Sequence, residues 1–367
     1  RYAIFDGLRR APRLPGPPYH FVSRVEEVAG EPWTKKPGAR VVMAYDVPPD
    51  AWYFDASASG TMPFAVLLEV ALQPCGWLAS YAGAVLDKKE DLLFRNLDGE
   101  GEVLAEVGRD AGTLRTEATL ASLSESGGMT IVSFDVIVRA GREASAHDVY
   151  RLRTVFGFFP HRAFDNQAGL PGGDPQLGAA EREGEPTSRG RLRLLDRITC
   201  DVDRGTARGE RAIDPGEWFF AAHFFQDPVQ PGSLGMEAML EVLRALVLAK
   251  YPGASSSAFA HRKHRWKYRG QVRPTDGRIA VTVRIVSDER KSDCVAIDAE
   301  ASFWVGGKRI YEATLGLDAP LAEPAPRDLP LPVAAGGRGE GSAKPEPAPS
   351  EPSELEPVLA WWRARLG

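Results

Sequence analysis

The stretch HFFQDPVQPGSLGMEAM, residues 223–239, determines how the rest of this sequence is interpreted. Its histidine, His223, precedes an Asp-Pro step and a Pro-Gly step, and the apolar run after them contains Glu237. Proline disrupts a helix from within but is well tolerated where a helix begins. The stretch therefore predicts a turn that carries His223 and opens into an apolar helix near Ser233.

The composition restricts the class of protein. The chain has 367 residues and a formal net charge of −5, with acidic and basic residues interspersed. This length suits two domains or one duplicated domain, and the lack of a basic stripe argues against a nucleic-acid partner. The first residues, Arg-Tyr-Ala-Ile, have neither an initiator Met nor a signal-type apolar segment, so we expect a piece of a longer polypeptide. Reduced thiols and a cytoplasmic location are expected from three widely spaced cysteines: Cys75, Cys200 and Cys294.

The apolar stretch 64–86 approaches the length of a membrane span. It contains Glu69, Gln73 and Pro74, and a bilayer penalises a lone carboxylate by a few kcal/mol. We therefore expect a helix buried inside the protein, and no membrane span.

Two segments read as linkers. Residues 165–189 are dense in Gly, Pro and charge, and predict an inter-repeat linker. Residues 319–367 begin with a long Pro, Ala, Gly and Glu-rich run and end in a short apolar and basic segment, expected to start a following element. The remaining blocks, 1–164 and 190–318, are the predicted domains.

The two blocks repeat one pattern. Each contains β-like runs, an aromatic triplet at 52–54 or 218–220, a proline-containing turn, a long apolar helix and further β-like runs. The alternation in these runs predicts antiparallel strands with one buried face. Because a helix that is apolar all round must be enclosed, we predict an α+β fold of two units, each a long helix wrapped by a curled antiparallel sheet. Side by side, the units form a pseudo-dimer.

Four segments resemble a known family: RLPGPPYHFVSRV, VPPDAWYF, WFFAAHFFQDPVQPGSLGMEAM and YRGQVRP. They resemble the bacterial β-hydroxydecanoyl-ACP dehydratases, and the repeat over residues 13–318 resembles the double hotdog dehydratase domains of polyunsaturated fatty acid synthases and iterative polyketide synthases. The resemblance implies loss of water from a 3-hydroxyacyl thioester, held on the phosphopantetheine of acyl carrier protein, to give the trans-2-enoyl thioester. It implies no metal or redox cofactor. The implied partners are acyl carrier protein and other domains of a parent synthase, with a second dehydratase domain or a homodimer left open.

Loss of water needs a base for a C2 proton, donors for the thioester oxygen and an acid for the departing hydroxyl. His223 suits the base because imidazole titrates near neutrality, although a hydrogen-bonded core histidine is the alternative. The N–H groups at the helix start, near Gly232 and Ser233, suit the thioester oxygen. Val229 and Pro231 are expected to contact the substrate.

The acid is expected on the helix of the other repeat, because family dimers take the histidine from one hotdog and the acid from its partner. Glu69 and Glu237 each lie six residues after the proline that opens their helix. The family places Gln one helical turn after the acid; Gln73 follows Glu69, whereas Glu241 follows Glu237. One complete site is predicted, with Glu69 as the acid, its pKa raised by burial, and Gln73 as its support. A core carboxylate and a merely helix-stabilising glutamine are the alternatives.

The mirror site is expected to be an inactive relic. Residues 50–63 contain no histidine, and Ser57 or Asp55 takes its place, depending on where the count begins. Glu237 is expected to face one of these two residues.

Two departures from the family leave open whether the chain also isomerises the double bond. The stand-alone decanoyl enzyme has Asp and Cys where this chain has Glu69 and Ser233, so double-bond isomerase activity is not implied. The competing functions are a silent pseudo-dehydratase that scaffolds or docks carrier protein, and a hotdog thioesterase.

The run AHRKHRWKYRG, residues 260–270, holds His261 and His264 among five Lys and Arg residues. These cations would repel a divalent ion, so it is a poor metal site. A solvated basic strand and a docking surface for the acidic carrier protein or its phosphate are the two interpretations.

Overall fold

The structure is a computed structural model, and it describes residues 13–321 apart from 89, 142–145, 166, 174–181, 185 and 256–259. The predicted linker at 319–367 therefore lies outside the described residues from position 322 onward. The last strand reaches Pro320, and Leu321 forms an isolated β-bridge with Ala254.

Both repeats contain the predicted succession of elements. The first consists of β1 (Arg24–Ala29), β2 (Arg40–Asp46), α1 (Trp52–Ala56), α2 (Phe64–Tyr81), β3 (Leu92–Val103), β4 (Thr113–Ser126), β5 (Met129–Ala140) and β6 (His147–Pro160). The second, preceded by the short β7 (Arg182–Gly184), consists of β8 (Arg197–Asp201), β9 (Thr206–Ala212), α3 (Trp218–Ala222), α4 (Gly232–Lys250), β10 (Ala260–Tyr268), β11 (Arg278–Arg290), β12 (Cys294–Val305) and β13 (Lys308–Pro320).

The described strands form one antiparallel sheet of 13 strands, in the order β1-β2-β4-β5-β6-β3-β10-β13-β12-β11-β9-β8-β7. Counted outward from the junction of β3 and β10, the first six strands of each half follow the same order. The predicted double hotdog is confirmed: each half is one unit, and the two sheets join along β3 and β10.

The helix α2 is enclosed by its own sheet, as its composition predicts. It is long and apolar enough to cross a membrane by length and composition, but 78% of that window is buried inside the protein. Pro74 lies within the helix, and proline has no N–H for the carbonyl four residues earlier. That carbonyl, of Val70, instead accepts a hydrogen bond from Thr116 Oγ1 on β4 at 3.0 Å. The sheet thus replaces the bond that the proline removes.

Close packing joins the two halves. The β3–β10 ladder pairs Gly99 with Trp266, and a Cβ on Gly99 would lie 2.1 Å from the indole ring. The indole Nε1 donates to Asn96 Oδ1 at 2.7 Å. The ladder therefore requires glycine at position 99.

Candidate active site

Glu69 lies on α2 and is 5% exposed. Its Oε1 accepts a hydrogen bond from Ser233 Oγ at 2.7 Å, and its Oε2 accepts one from Gln73 Nε2 at 3.1 Å. Burial raises the pKa of Glu69 to about 7, while these two hydrogen bonds act to lower it. Because Ser233 belongs to the second repeat, the carboxyl reaches across the boundary between the repeats, as the sequence predicts.

Gln73 connects the carboxyl to the segment before β1. Its Nε2 also donates to Tyr19 O at 2.9 Å, and its Oε1 accepts from Phe21 N–H at 2.8 Å. The side chain therefore both orients Glu69 and stabilises the fold, so the two interpretations of this glutamine are compatible. The contacts of Gln73 with Tyr19 and Phe21 could not be predicted, since they span about 50 residues and leave no local pattern in the sequence.

His223 directly follows α3 and is 8% exposed. Its Nδ1 lies 3.0 Å from Val229 O, and a carbonyl can only accept. This contact assigns the ring proton to Nδ1 and leaves Nε2 with a free lone pair. Burial is the largest of the influences that lower the pKa of His223 to about 3, so the ring is neutral at pH 7.

The turn after His223 is anchored to the first repeat. Asp227 accepts two hydrogen bonds from Arg95 of β3, at 2.6 and 2.8 Å, and Arg95 also donates to Gln271 at 2.8 Å. The two charged side chains are only 11% and 20% exposed. This ion pair, which sequence reasoning did not find, fixes the histidine turn of one repeat against the sheet of the other.

The helix α4 begins beside Glu69. Pro231 is its N-cap residue, and Pro231 O accepts from the N–H groups of Leu234 and Gly235. In the part of the chain that the structure describes, no hydrogen bond occupies the N–H of Gly232 or Ser233. A Cβ on Gly232 would lie 2.5 Å from the Tyr268 ring. The helix start thus offers unpaired donors at a position where only glycine fits.

These groups meet at one cavity of about 80 Å³. The predicted residues that line it are Glu69, Gln73, His223, Val229, Gly232 and Ser233. Apolar walls come from Leu72, Phe94 and Phe156. Pro231 is not among the described residues that line the cavity; it is the N-cap residue of α4. Two larger grooves, of 810 and 820 Å³, run over the charged strands at the junction, and none of the predicted site residues lines them.

The mirror site is occupied by the protein itself. Glu237 Oε2 accepts a hydrogen bond from Ala65 N–H, at the start of α2, at 2.9 Å. Its Oε1 pairs with Arg244 at 2.7 Å. Ala65 is the counterpart of Ser233, each being the second residue after the helix-opening proline. The N–H that is unpaired at Ser233 on α4 is therefore already hydrogen-bonded at its counterpart, Ala65, on α2. Glu241 does not lie against Glu237 but accepts hydrogen bonds from Thr187 and Ser188.

The two candidates for the missing mirror histidine are separated by the structure. Ser57 lines a cavity of about 40 Å³ together with Phe64 and Arg244. Asp55 does not face Glu237, because α1 directs its side chain outward, where it is 78% exposed and pairs with Arg109. Of the two positions, Ser57 is therefore the one that faces a cavity, and Arg244, the partner of Glu237, lines that cavity with it.

The basic run 260–270 has two faces. His261 and His264 lie inside, with their ring nitrogens 2.8 Å apart, and His264 bonds Tyr150 OH at 2.7 Å. The cations on the other face pair with carboxylates of neighbouring strands: Lys263 with Glu102, Arg265 with Glu100, and Lys267 with Glu312. Among the described residues, no group of three or more His, Cys, Asp or Glu side chains could hold a metal ion.

Comparison with known proteins agrees with this architecture. A family model described as FabA-like domain matches residues 187–314, the repeat that carries His223. Over 314 residues the chain is 32% identical to a polyunsaturated fatty acid synthase polypeptide of Thraustochytrium sp. (strain ATCC 26185 / S-3), covering 73% of this chain and 21% of that protein. The chain thus spans about a fifth of the length of this curated relative.

Solved structures resemble the chain in fold. A protein described as an oleoyl thioesterase from Lactobacillus plantarum aligns with a TM-score of 0.51 at 10% identity, over 78% of this chain and 97% of its own. The dehydratase domain from the CurF module of curacin polyketide synthase aligns with a TM-score of 0.47 at 13% identity, over 83% and 99%. At such identities the likeness of the first structure supports the double hotdog fold and does not select a reaction.

Proposed function

We propose that this chain, which has a double hotdog fold and matches a FabA-like family model over residues 187–314, removes water from a 3-hydroxyacyl thioester to give the trans-2-enoyl thioester. The acyl group is carried on acyl carrier protein, and the domain works within a larger synthase. The observation that carries the proposal is the cavity where Glu69 of one repeat and His223 of the other lie beside the unpaired start of α4.

The two side chains have the protonation states that the reaction requires: the His223 ring is neutral, and Glu69, with a pKa of about 7, can carry a proton. His223 Nε2 takes a C2 proton, while the N–H groups at the start of α4 stabilise negative charge on the thioester oxygen. Glu69 gives its proton to the 3-hydroxyl, and the bond between C3 and oxygen breaks to release water. The resulting imidazolium and carboxylate return to their starting forms by net transfer of one proton.

The mirror cavity is proposed to be silent. Glu237 Oε2 occupies the N–H that would hold a thioester oxygen, and its Oε1 is bound to the Arg244 guanidinium, so neither oxygen is free to meet a substrate. The described residues of the two pseudo-symmetric halves therefore provide one working site at most.

Turnover of a 3-hydroxyacyl thioester surrogate tests the proposal. We expect His223→Ala and Glu69→Gln each to lower kcat at least 100-fold, as is usual when a general base or acid is lost. Glu237→Gln is the matched control, because it removes the pseudo-equivalent carboxylate, and it should retain turnover in the folded fraction. Activity lost in Glu237→Gln and kept in Glu69→Gln would reverse the assignment of the two sites. An inactive wild type, across acyl chain lengths, would instead support a scaffold that docks carrier protein.

A further inference from the structure

Three oxygen-bearing groups form a buried chain that ends at the Glu69 carboxyl. Tyr19 is fully buried, and its hydroxyl lies 2.9 Å from Ser233 Oγ and 3.4 Å from Ala65 O. Ser233 Oγ lies 2.7 Å from Glu69 Oε1. The chain therefore runs from a main-chain carbonyl through two hydroxyls to the carboxyl.

This chain has two complete arrangements of hydrogen bonds. When Glu69 is ionised, Tyr19 donates to Ser233 and Ser233 donates to Glu69. When Glu69 is protonated on Oε1, Glu69 donates to Ser233, Ser233 donates to Tyr19, and Tyr19 donates to Ala65 O. Each hydroxyl keeps its own proton in both arrangements, and every proton in the chain has an acceptor.

The other oxygen of the carboxyl cannot serve in this way. Oε2 faces the Nε2 amide of Gln73, which only donates, so a carboxyl proton finds its protein acceptor on the Ser233 side. Tyr268, the other phenol near Glu69, donates to Gly232 O at 3.0 Å and is committed there.

We propose that Tyr19 is a positioning residue whose hydroxyl lets Ser233 reverse its hydrogen bond as Glu69 gains and loses its proton. The inference rests on the proposed function, in which Glu69 must pass through both states in each turnover. Two titratable groups lie near the carboxyl, Tyr19 before β1 and Tyr268 on β10, and Glu237 on α4 acts on Tyr19. The other titratable or charged groups that line the cavity with Glu69 are Arg13, Arg95, His223 and Tyr311. Burial and the hydrogen bonds from Ser233 and Gln73 are the influences that set the pKa of Glu69, and of these only the Ser233 bond can reverse its direction.

The carboxylate of the mirror site, Glu237, is not bonded to a hydroxyl in the described part of the chain. Glu237 is bonded to the Arg244 guanidinium and to a main-chain N–H, both of which can only donate. A reversible chain of hydroxyls is therefore found at the carboxyl that is proposed to transfer a proton, and fixed donors surround the one that is proposed to be silent.

Two substitutions with opposite expected effects test the proposal. In Tyr19→Phe, Ser233 loses its acceptor when Glu69 is protonated, so the pKa of Glu69 should fall by about one unit. In Ser233→Ala the carboxylate loses a donor, so the pKa should rise by about one unit. Because Tyr19 acts through Ser233, Tyr19→Phe should add nothing in the Ser233→Ala background.

The readout is an infrared titration of the carboxyl band that Glu69→Gln removes, accompanied by kcat as a function of pH. Tyr53→Phe is the matched control, since it deletes another buried hydroxyl of the same repeat, one that is bonded to Tyr45 and does not line the cavity. An unchanged pKa in Tyr19→Phe, a shift in the same direction as Ser233→Ala, or a further shift in the double variant would overturn the inference. The infrared titration requires no substrate, so it distinguishes this inference from a failure of the proposed function. If Tyr19→Phe does not fold, an unchanged or lowered pKa of Glu69 in Ser233→Ala would still overturn the inference, because Ser233 would then not be the donor to the carboxylate.

Discussion

Glu69 and His223 release their protons in the reverse of the order that the free side chains follow. The ordinary pKa is 4.5 for Glu and 6.5 for His, so at no pH is most of the Glu protonated while most of the His is neutral. Burial disfavours charge on both, which places the pKa of Glu69 at about 7 and that of His223 at about 3. Between these values the acid holds its proton and the base is free to accept one.

The pH dependence of dehydration should follow from this reversal. We expect kcat/KM, which reports the free protein, to be level from about pH 5 to 6 and to fall tenfold per unit above about pH 7 as Glu69 ionises. Turnover of a thioester surrogate from pH 5 to 9 measures it. A limb that rises with a midpoint near 6.5 would show that His223 keeps its ordinary pKa.

Sequence reasoning found the residues of the cavity but not their surroundings. His223, Glu69 and Gln73 could be located because each has a fixed distance from a turn proline or from another member of the motif. Tyr19 and Arg95 could not, since their roles depend on which distant segments the fold brings together. Pattern alone also left open which way His261 and His264 point.

At the scale of elements, the histidine turn is held by a charge pair from the other repeat. We expect Arg95→Gln and Asp227→Asn each to destabilise the protein by about 1–3 kcal/mol, because each leaves a partly buried charged group without its partner. Both variants should also lower kcat, since the turn that presents His223 loses its anchor.

A double-mutant cycle in urea measures this pair. The double variant should be more stable than the sum of the single effects predicts, because neither charge is then left alone. Arg109→Gln is a suitable control, as it removes an exposed pair with Asp55 whose expected effect is below about 1 kcal/mol. Strict additivity between Arg95 and Asp227 would contradict the anchoring role.

Element order could be predicted from the sequence because the repeat supplied its long helix and the strands around it twice; the short β7 has no counterpart in the first half. The helix α2 was identified although Pro74 interrupts it, because its apolar length outweighed one lost hydrogen bond. The compensating Thr116 could not be foreseen, since it lies on a strand whose register is set only in the folded sheet.

At the scale of the whole molecule, the β3–β10 junction aligns the two halves of the site. Gly99→Ala should destabilise the protein by about 1–3 kcal/mol, because its Cβ would overlap the Trp266 ring. It should lower turnover as well, since a shift at the junction separates Glu69 from His223. Urea denaturation and surrogate turnover measure both effects.

Gly277→Ala is the matched control for this substitution. Nothing lies within 4 Å of a Cβ at Gly277, so its stability and turnover should stay close to those of the wild type. Equal stability and equal turnover of the two alanine variants would show that the β3–β10 junction does not align the site. The sequence predicted that two units lie side by side, but not which strands join them, since β3 and β10 carry no pairing signal of their own.

Because both halves belong to one polypeptide, formation of the site does not depend on protein concentration. Where a site is shared between separate polypeptides, dilution below their dissociation constant separates the acid from the base. Here the partner of each half is tethered at a high effective concentration, so the composite cavity persists at any dilution. A single molecule therefore contributes both the acid and the base of its cavity, without a second molecule to complete it.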